Sequence, residues 1–239
     1  MNIINIDNIC KNYKTLKALD NLSLEIKKGE LFGLLGVNGA GKTTLIKILC
    51  GLTKKTSGSV IINGFNIDSD IDKIKEIIDI SPQETAIAEN LTVKENLEFF
   101  ANIYNNCDLD YINEIINTFS LTSVLTKRAK TLSGGFKRRL SIAIALISKP
   151  TILFLDEPTL GLDVFARREL WGIINKLKNK ITIILTSHYL DEIESLCDRV
   201  AILSKGKLLK TGTIDELKQF TNSDNFEDAF IKLVENSNE

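Results

Sequence analysis

The sequence predicts an α/β fold: a mostly parallel sheet flanked by helices, with a small antiparallel β part and an inserted α-helical subdomain. Three observations predict it. Short apolar runs bounded by polar or turn residues, Leu31–Leu35, Ile152–Leu155 and Ile181–Leu185, have the near-continuous hydrophobicity of strands buried on both faces. Each run gives way to a polar turn and then to apolar residues at helical spacing, the alternation that builds a parallel sheet. The stretches before Gly29 and from Ser59 to Asn66 instead carry short alternating apolar residues (Ile3, Ile6; Leu22, Leu24, Ile26; Val60, Ile62) between turn residues, as antiparallel strands do.

From Glu84 to Ser148 the pattern is mainly helical. Thr92-Val93-Lys94-Glu95 reads as a capping box opening a helix that carries Leu97, Phe100 and Tyr104. Thr213-Ile214-Asp215-Glu216 is a second box. Pro82, Pro150 and Pro158, the chain's three prolines, fall at element boundaries, because proline ends regular structure and fixes the path of the chain. No internal repeat or low-complexity linker interrupts the 239 residues.

Composition excludes several classes. Lys+Arg (30) and Asp+Glu (31) nearly cancel to a net charge of -1, so no nucleic-acid partner is expected; phosphate-backbone binding needs a clustered basic excess. Cys10, Cys50, Cys107 and Cys197 lie far apart, which predicts plain structural thiols in a reducing cytosol rather than zinc or disulfides. Met1 to Asp7 lacks the basic stretch and apolar run of a signal peptide. Nowhere do ~18 apolar residues run together, so a membrane role is expected to come through a partner.

The chemistry begins at Gly36-Val37-Asn38-Gly39-Ala40-Gly41-Lys42-Thr43-Thr44, a G-x-x-x-x-G-K-[ST] motif placed directly after an expected strand and before the helical residues Leu45, Ile46, Ile48 and Leu49. That strand–loop–helix context makes it a P-loop. Its glycines let backbone N–H groups and the helix N-terminus cradle phosphate oxygens. Lys42 reaches the β- and γ-phosphates of a nucleotide there, and the Thr43 hydroxyl ligates Mg²⁺. Asp156-Glu157 closes the second apolar run, so Asp156 stands to hold the same ion and Glu157 to orient and deprotonate the attacking water. Ser133, Gly134 and Gly135 open a helix expected to start near Phe136, a second anion site. Two such sites can serve one nucleotide held between two chains.

In this order, Gly36–Thr44, Leu132–Gly135 and Ile152–Glu157 closely resemble the ATP-binding cassette of ABC transporters, and the resemblance covers nearly the whole chain. It implies a P-loop NTPase fold of RecA-like architecture: one cassette over 1–239, with the ATP-binding core in 1–83 and 149–239 and the helical subdomain in 84–148. Gln83 takes the Q-loop position, with Mg²⁺ as a contact; Gly161-Leu162-Asp163 resembles the D-loop, placing Asp163 at the nucleotide; His188, the chain's one histidine, takes the H-loop position facing the γ-phosphate. Tyr13 matches the aromatic that stacks on adenine, ordinary surface packing being the alternative. The implied catalytic set is Lys42, Gln83, Glu157 and His188. The implied cofactors are ATP and Mg²⁺, held by Thr43, Gln83 and Asp156.

The resemblance further implies a homodimer sandwiching two ATP, and separate transmembrane permease subunits that hold the chain at the inner face of the membrane. Phe99, Phe100 and Tyr104 lie where the family docks that partner, or pack as helix core. Leu132–Arg139 (with Phe136 where many members have Gln), Thr186–Glu192 and Asn225–Phe230 resemble single-cassette exporters for drugs, antibiotics, sodium or polysaccharides. The last stretch also fits a packing helix with Phe226, Phe230 and Leu233 on one face. A regulatory or resistance ATPase without direct transport is the alternative, and a nucleotide-binding scaffold is disfavoured by Glu157.

Overall fold

The computed structural model describes residues 1–105 and 108–236. Its strands are β1 (Asn2–Tyr13), β2 (Leu16–Lys27), β3 (Leu31–Leu35), β4 (Ser57–Ile62), β5 (Phe65–Asn66), β6 (Ile78–Ser81), β7 (Ile152–Asp156), β8 (Thr182–Ser187), β9 (Arg199–Ser204) and β10 (Lys207–Gly212). The helices are α1 (Lys42–Leu49), α2 (Ile71–Lys75), α3 (Val93–Ile103), α4 (Leu109–Thr118), α5 (Gly134–Ile147), α6 (Val164–Leu177), α7 (Leu190–Leu196), α8 (Ile214–Thr221) and α9 (Phe226–Glu235).

Two sheets form. One has the order β10-β9-β3-β8-β7-β6 and the other β2-β1-β4-β5. In the first, β9, β3, β8, β7 and β6 pair in parallel and β10 is an antiparallel edge; the second is antiparallel throughout. The mostly parallel sheet and the antiparallel part expected from the sequence are therefore both present.

The continuous apolar runs have a simple cause. Strand side chains alternate between faces, and both faces of the central sheet are covered. Leu31 and Leu35 of β3, Leu153 and Leu155 of β7, and Ile183 and Leu185 of β8 join α3, α5, α6 and α7 in one buried cluster. Phe32, Leu34, Ile152, Phe154 and Ile184 join α1 and the antiparallel sheet in the other. Phe32 and Phe154 are fully enclosed, and burial of each contributes roughly 2 kcal/mol.

Several boundaries shift by a residue or two. β8 runs from Thr182 to Ser187, later than the Ile181–Leu185 run, because the Ile181 N–H still closes the end of α6 on Leu177 O. The helix after Ser133 starts at Gly134 rather than near Phe136, with Ser133 as its cap. Both capping boxes form as expected. Cys10 and Cys50 are buried free thiols and Cys197 is a half-buried one; Cys107 lies outside the described residues. Among the described residues no helix is long and apolar enough to cross a membrane.

Candidate nucleotide site

β3, β7 and β8 are adjacent and parallel, so their carboxyl ends share one rim, where open α/β sheets bind ligands. The loop after β3 needs its glycines. Gly39 and Gly41 have φ of 82° and 104°, left-handed values that side chains rarely adopt. A Cβ on Gly41 would also stand 2.8 Å from Ala18 O. Gly41 caps α1 without any side-chain bond to the helix N-terminus, and the first turn holds no acidic residue.

Lys42 is 5% exposed. Its ammonium donates to Gly36 O at 2.6 Å and Val37 O at 3.3 Å, and lies 3.8 Å from Glu157 Oε1. Burial pulls its pKa below the usual lysine value; the carboxylates of Glu157 and then Asp156 oppose that pull. The lysine is thus folded back on its own loop, held by two backbone carbonyls and close to one carboxylate.

Asp156 ends β7, and its Oδ1 accepts the Thr186 hydroxyl at 2.7 Å; the Thr43 hydroxyl is 3.4 Å from the same oxygen. Glu157 has φ 48°, a left-handed conformation that costs a non-glycine residue roughly 1–2 kcal/mol. The Glu157 N–H donates to Thr186 Oγ1 at 2.9 Å. One threonine hydroxyl thus ties both carboxylate residues to β8. One residue past β8, His188 Nδ1 stands 3.3 Å from Glu157 Oε1, off the line of a hydrogen bond. Its ring packs on Tyr189 at 4.1 Å between centroids.

Tyr13, Asn38, Gly39, Ala40, Gly41, Lys42, Thr43, Thr44, Gln83 and Glu157 line one cavity of about 640 Å³. Gly36, Asp156 and His188 adjoin it through the contacts just given. Tyr13 is 42% exposed, with the Lys11 ammonium 4.6 Å above its ring. Ser133, Gly134, Gly135 and Asp163 do not line this cavity. The Ser133 hydroxyl caps α5 through a long 3.5 Å bond from Phe136 N–H. Asp163 caps α6, accepting from Phe165 and Ala166 N–H at 2.9 Å each. A Cβ on Gly135 would meet the Ala166 methyl at 3.1 Å, so the turn after Leu132 packs against the start of α6.

The sequence reading missed three groups. Thr186 entered the sequence reading only as the first residue of the Thr186–Glu192 stretch, with no role of its own. Arg138, 5% exposed on α5, donates to Pro82 O at 2.7 Å and Gln83 O at 2.6 Å and so holds the backbone that presents Gln83; an arginine in an apolar helix face was its only trace. Leu16, Lys17, Ala18 and Lys205 also line the cavity. None of these carried a sequence signal; Lys205 is brought there by the hairpin joining β9 to β10, whose turn it forms with Gly206. The aromatic residues divide: Phe99 is 48% exposed, Phe100 packs partly into the core, and the Tyr104 hydroxyl bonds the Asp79 carboxyl of β6. A second cavity of about 460 Å³, between α4 and the end of α6, is lined chiefly by Ile115, Phe119, Leu146 and Leu177. None of the residues of the Gly36–Thr44 loop borders it.

A P-loop after β3, a histidine beyond the adjacent strand β8 and two carboxylates at the end of β7, the strand after that, define the class of nucleotide-binding ATPase cassettes. Comparison with known proteins agrees. The sequence profile of the family described as "ABC transporter" matches residues 19–160. The linearmycin resistance ATP-binding protein LnrL of Bacillus subtilis is 38% identical over 219 residues, 90% of this chain and 70% of that protein. The probable multidrug ABC transporter ATP-binding protein YbhF of Escherichia coli is 38% identical over 251 residues, 99% of this chain but 43% of its own length. The ATP-binding cassette MJ0796, solved as a post-hydrolysis dimer bound to ADP and Pi, superposes with a TM-score of 0.78 at 26% identity, over 88% of this chain and 98% of that one. The chain belongs to the ABC transporter family, as an ATP-binding cassette.

Proposed function

We propose that this chain is the ATP-hydrolysing motor of a membrane exporter, and that the residues gathered on the strand rim perform the reaction. The observation that supports this most is the meeting of Lys42, Glu157 and His188, with successive separations of 3.8 Å and 3.3 Å, beside the Asp156–Thr43 pair. ATP lies along the P-loop with adenine against Tyr13. The α1 N-terminus and Lys42 bind the phosphates. Glu157 accepts the proton of the water that attacks the γ-phosphorus, and His188 holds Glu157 and the γ-phosphate in line. The products are ADP and phosphate.

The oxygen donors fit Mg²⁺. Thr43, Asp156 and Gln83 offer a hydroxyl, a carboxylate and an amide. Among the described residues no cluster of three His, Cys, Asp or Glu side chains is built to hold a metal alone, as suits an ion that takes much of its shell from phosphate and water. When bound, it neutralises charge on the β- and γ-phosphates.

The residues 84–148 act as an inserted helical subdomain between the two halves of the core. Ser133, Gly134, Gly135 and Asp163 lie outside the cavity, so they act on ATP held by a second copy. The C2 dimer sandwiches two ATP, in keeping with the dimeric MJ0796 cassette. Separate permease subunits hold the pair at the inner face of the membrane. A drug- or antibiotic-like cargo is consistent with the names of LnrL and YbhF.

Two measurements test the reading. Glu157→Gln should keep ATP affinity within about twofold and lower turnover at least about 100-fold, because it removes the base and leaves the phosphate cradle; wild-type turnover would overturn the assignment. Phe99→Ala should lower permease-stimulated ATPase by about 10-fold with basal activity unchanged, as loss of one exposed aromatic anchor does. Equal stimulation would move the docking surface elsewhere.

A further inference from the structure

Arg138 is a charged group on a helix that is otherwise core. It is 5% exposed, and the buried run that follows on α5, from Leu140 to Ile147, is apolar but for Ser141. Its neighbour Arg139 pairs with the Glu169 carboxylate of α6. Arg138 instead turns both terminal nitrogens to neutral backbone: Nη1 donates to Pro82 O at 2.7 Å and Nη2 to Gln83 O at 2.6 Å. Taking a guanidinium out of water is costly, and carbonyls offset less of that cost than a carboxylate does. A methionine would fill the place without it.

The two carbonyls belong to a stretch with little else to fix it. β6 ends at Ser81, and no helix or strand resumes before Val93 of α3. Gln83 lies in that stretch, exposed and lining the nucleotide cavity. β6 and its exit are bonded to α5 at three levels. The Ser148 hydroxyl donates to Asp79 Oδ2 at 2.9 Å. The buried Ser81 and Ser141 hydroxyls share a hydrogen bond at 3.0 Å. Arg138 takes the next two carbonyls. Residues 138, 141 and 148 recur at helical spacing on one face, so this row of bonds runs on past the end of the strand, and Arg138 ends it. A guanidinium suits that place, because its planar fork holds two successive carbonyls with one rigid group.

We propose that Arg138 is a positioning residue for ATP hydrolysis: by fixing the Pro82–Gln83 backbone against α5, it keeps the Gln83 side chain in the nucleotide cavity, in place for the bound ion. Arg138 does not line that cavity and acts through Gln83. The inference rests on the reading of Gln83 as a group that meets Mg²⁺.

The test uses the full chain. Arg138→Met keeps an extended side chain and removes the fork. It should lower kcat by about 10- to 100-fold, the usual loss when a group that orients a metal ligand is removed. The ATP dissociation constant should stay within about twofold, since the P-loop is untouched. Arg138→Lys, whose single ammonium lacks the fork, should fall between Met and the parent. With Gln83→Ala already in place, Arg138→Met should cost less than about twofold more, because residues that act as one unit are not additive. A readout free of nucleotide and metal separates the anchor from the amide. Backbone hydrogen exchange over residues 83–91 should quicken by at least about threefold in Arg138→Met. It should keep the parental rate in Gln83→Ala, which leaves the Gln83 carbonyl in place.

Parental exchange in Arg138→Met, loss of ATP affinity in step with kcat, or full additivity with Gln83→Ala would each overturn the proposal. If Arg138→Met fails to fold, Arg138→Lys decides alone by the same exchange and the same double variant. Failure of the underlying reading is distinct: Gln83→Ala would then itself keep turnover, while exchange in the Arg138 variants would still be raised.

Discussion

The N-termini of α1 and α3 face the same electrostatic problem and resolve it in opposite ways. Every helix start leaves backbone N–H groups without partners and a partial positive charge. At α3 the protein supplies the partners. Val93 N–H donates to Lys127 O and Lys94 N–H to Leu125 O, both at 3.0 Å; Glu95 N–H takes the Thr92 hydroxyl and the Thr92 N–H takes the Glu95 carboxylate. At α1 the cap is a glycine with no side-chain bond and no acidic residue in the first turn. The fold thus caps one helix with its own atoms and leaves the other open to an anion, with Lys42 beside it. An open, basic helix end beside a buried lysine marks the site more sharply than any one residue does.

The largest expected effect breaks the open end. Lys42→Ala removes the buried ammonium of the P-loop, and ATP affinity should fall by about 30- to 100-fold, the loss of one or two charge-assisted bonds. Equilibrium nucleotide binding measures it. Affinity within about threefold of the parent would mean that backbone N–H groups alone hold the phosphates and that the folded-back lysine serves only the loop.

A third helix end sharpens the comparison. At α5, Ser133 caps weakly, its 3.5 Å bond leaving the hydroxyl free to turn to a second ligand. Lys42→Ala and Ser133→Arg dimers should each be inactive if ATP bridges two chains. A mixed dimer places both lesions in one site and leaves the other intact. With random pairing, half the dimers are mixed and each has one working site, so mixing should restore about a quarter of parental ATPase. No recovery, with mixed dimers shown to form, would return Ser133 to its own chain.

These helix ends also show what the sequence could reveal. The glycines and lysine of Gly36–Thr44 and the box Thr92–Glu95 were legible because their chemistry is local: a cap or a phosphate loop is built by residues within a few positions. The buried strands were legible through their apolar runs. Thr186 and Arg138 were not, because each acts at long range, Thr186 on carboxylates about thirty positions earlier and Arg138 on carbonyls more than fifty positions earlier. The left-handed backbone of Glu157 was equally hidden, since nothing in a Glu-Pro pair asks for positive φ. Asp163 shows the converse limit: a residue expected at the nucleotide is found capping α6, and both roles use the same carboxylate.

The smallest effect lies at the closed end. Thr92→Ala deletes the hydroxyl that accepts Glu95 N–H at 3.2 Å and donates to Glu95 Oε2 at 2.8 Å. The loss should be about 1 kcal/mol of stability, the usual worth of a threonine cap, read as a lower urea midpoint. Basal ATPase should be unchanged, because α3 carries no residue that lines the nucleotide cavity. The change also has a pH signature. The Thr92 N–H first, and then its hydroxyl, hold the Glu95 carboxyl below its ordinary 4.5. The unfolded chain therefore binds the extra proton as pH falls through this window, so this part of the stability is present above 4.5 and is lost as pH drops through the lowered folded value. Without the hydroxyl the folded pKa moves back toward 4.5, and the acid decline should become shallower. An unchanged acid slope would mean that the backbone N–H alone fixes the carboxylate, and a drop in ATPase would mean that the closed end of α3 communicates with the open end of α1.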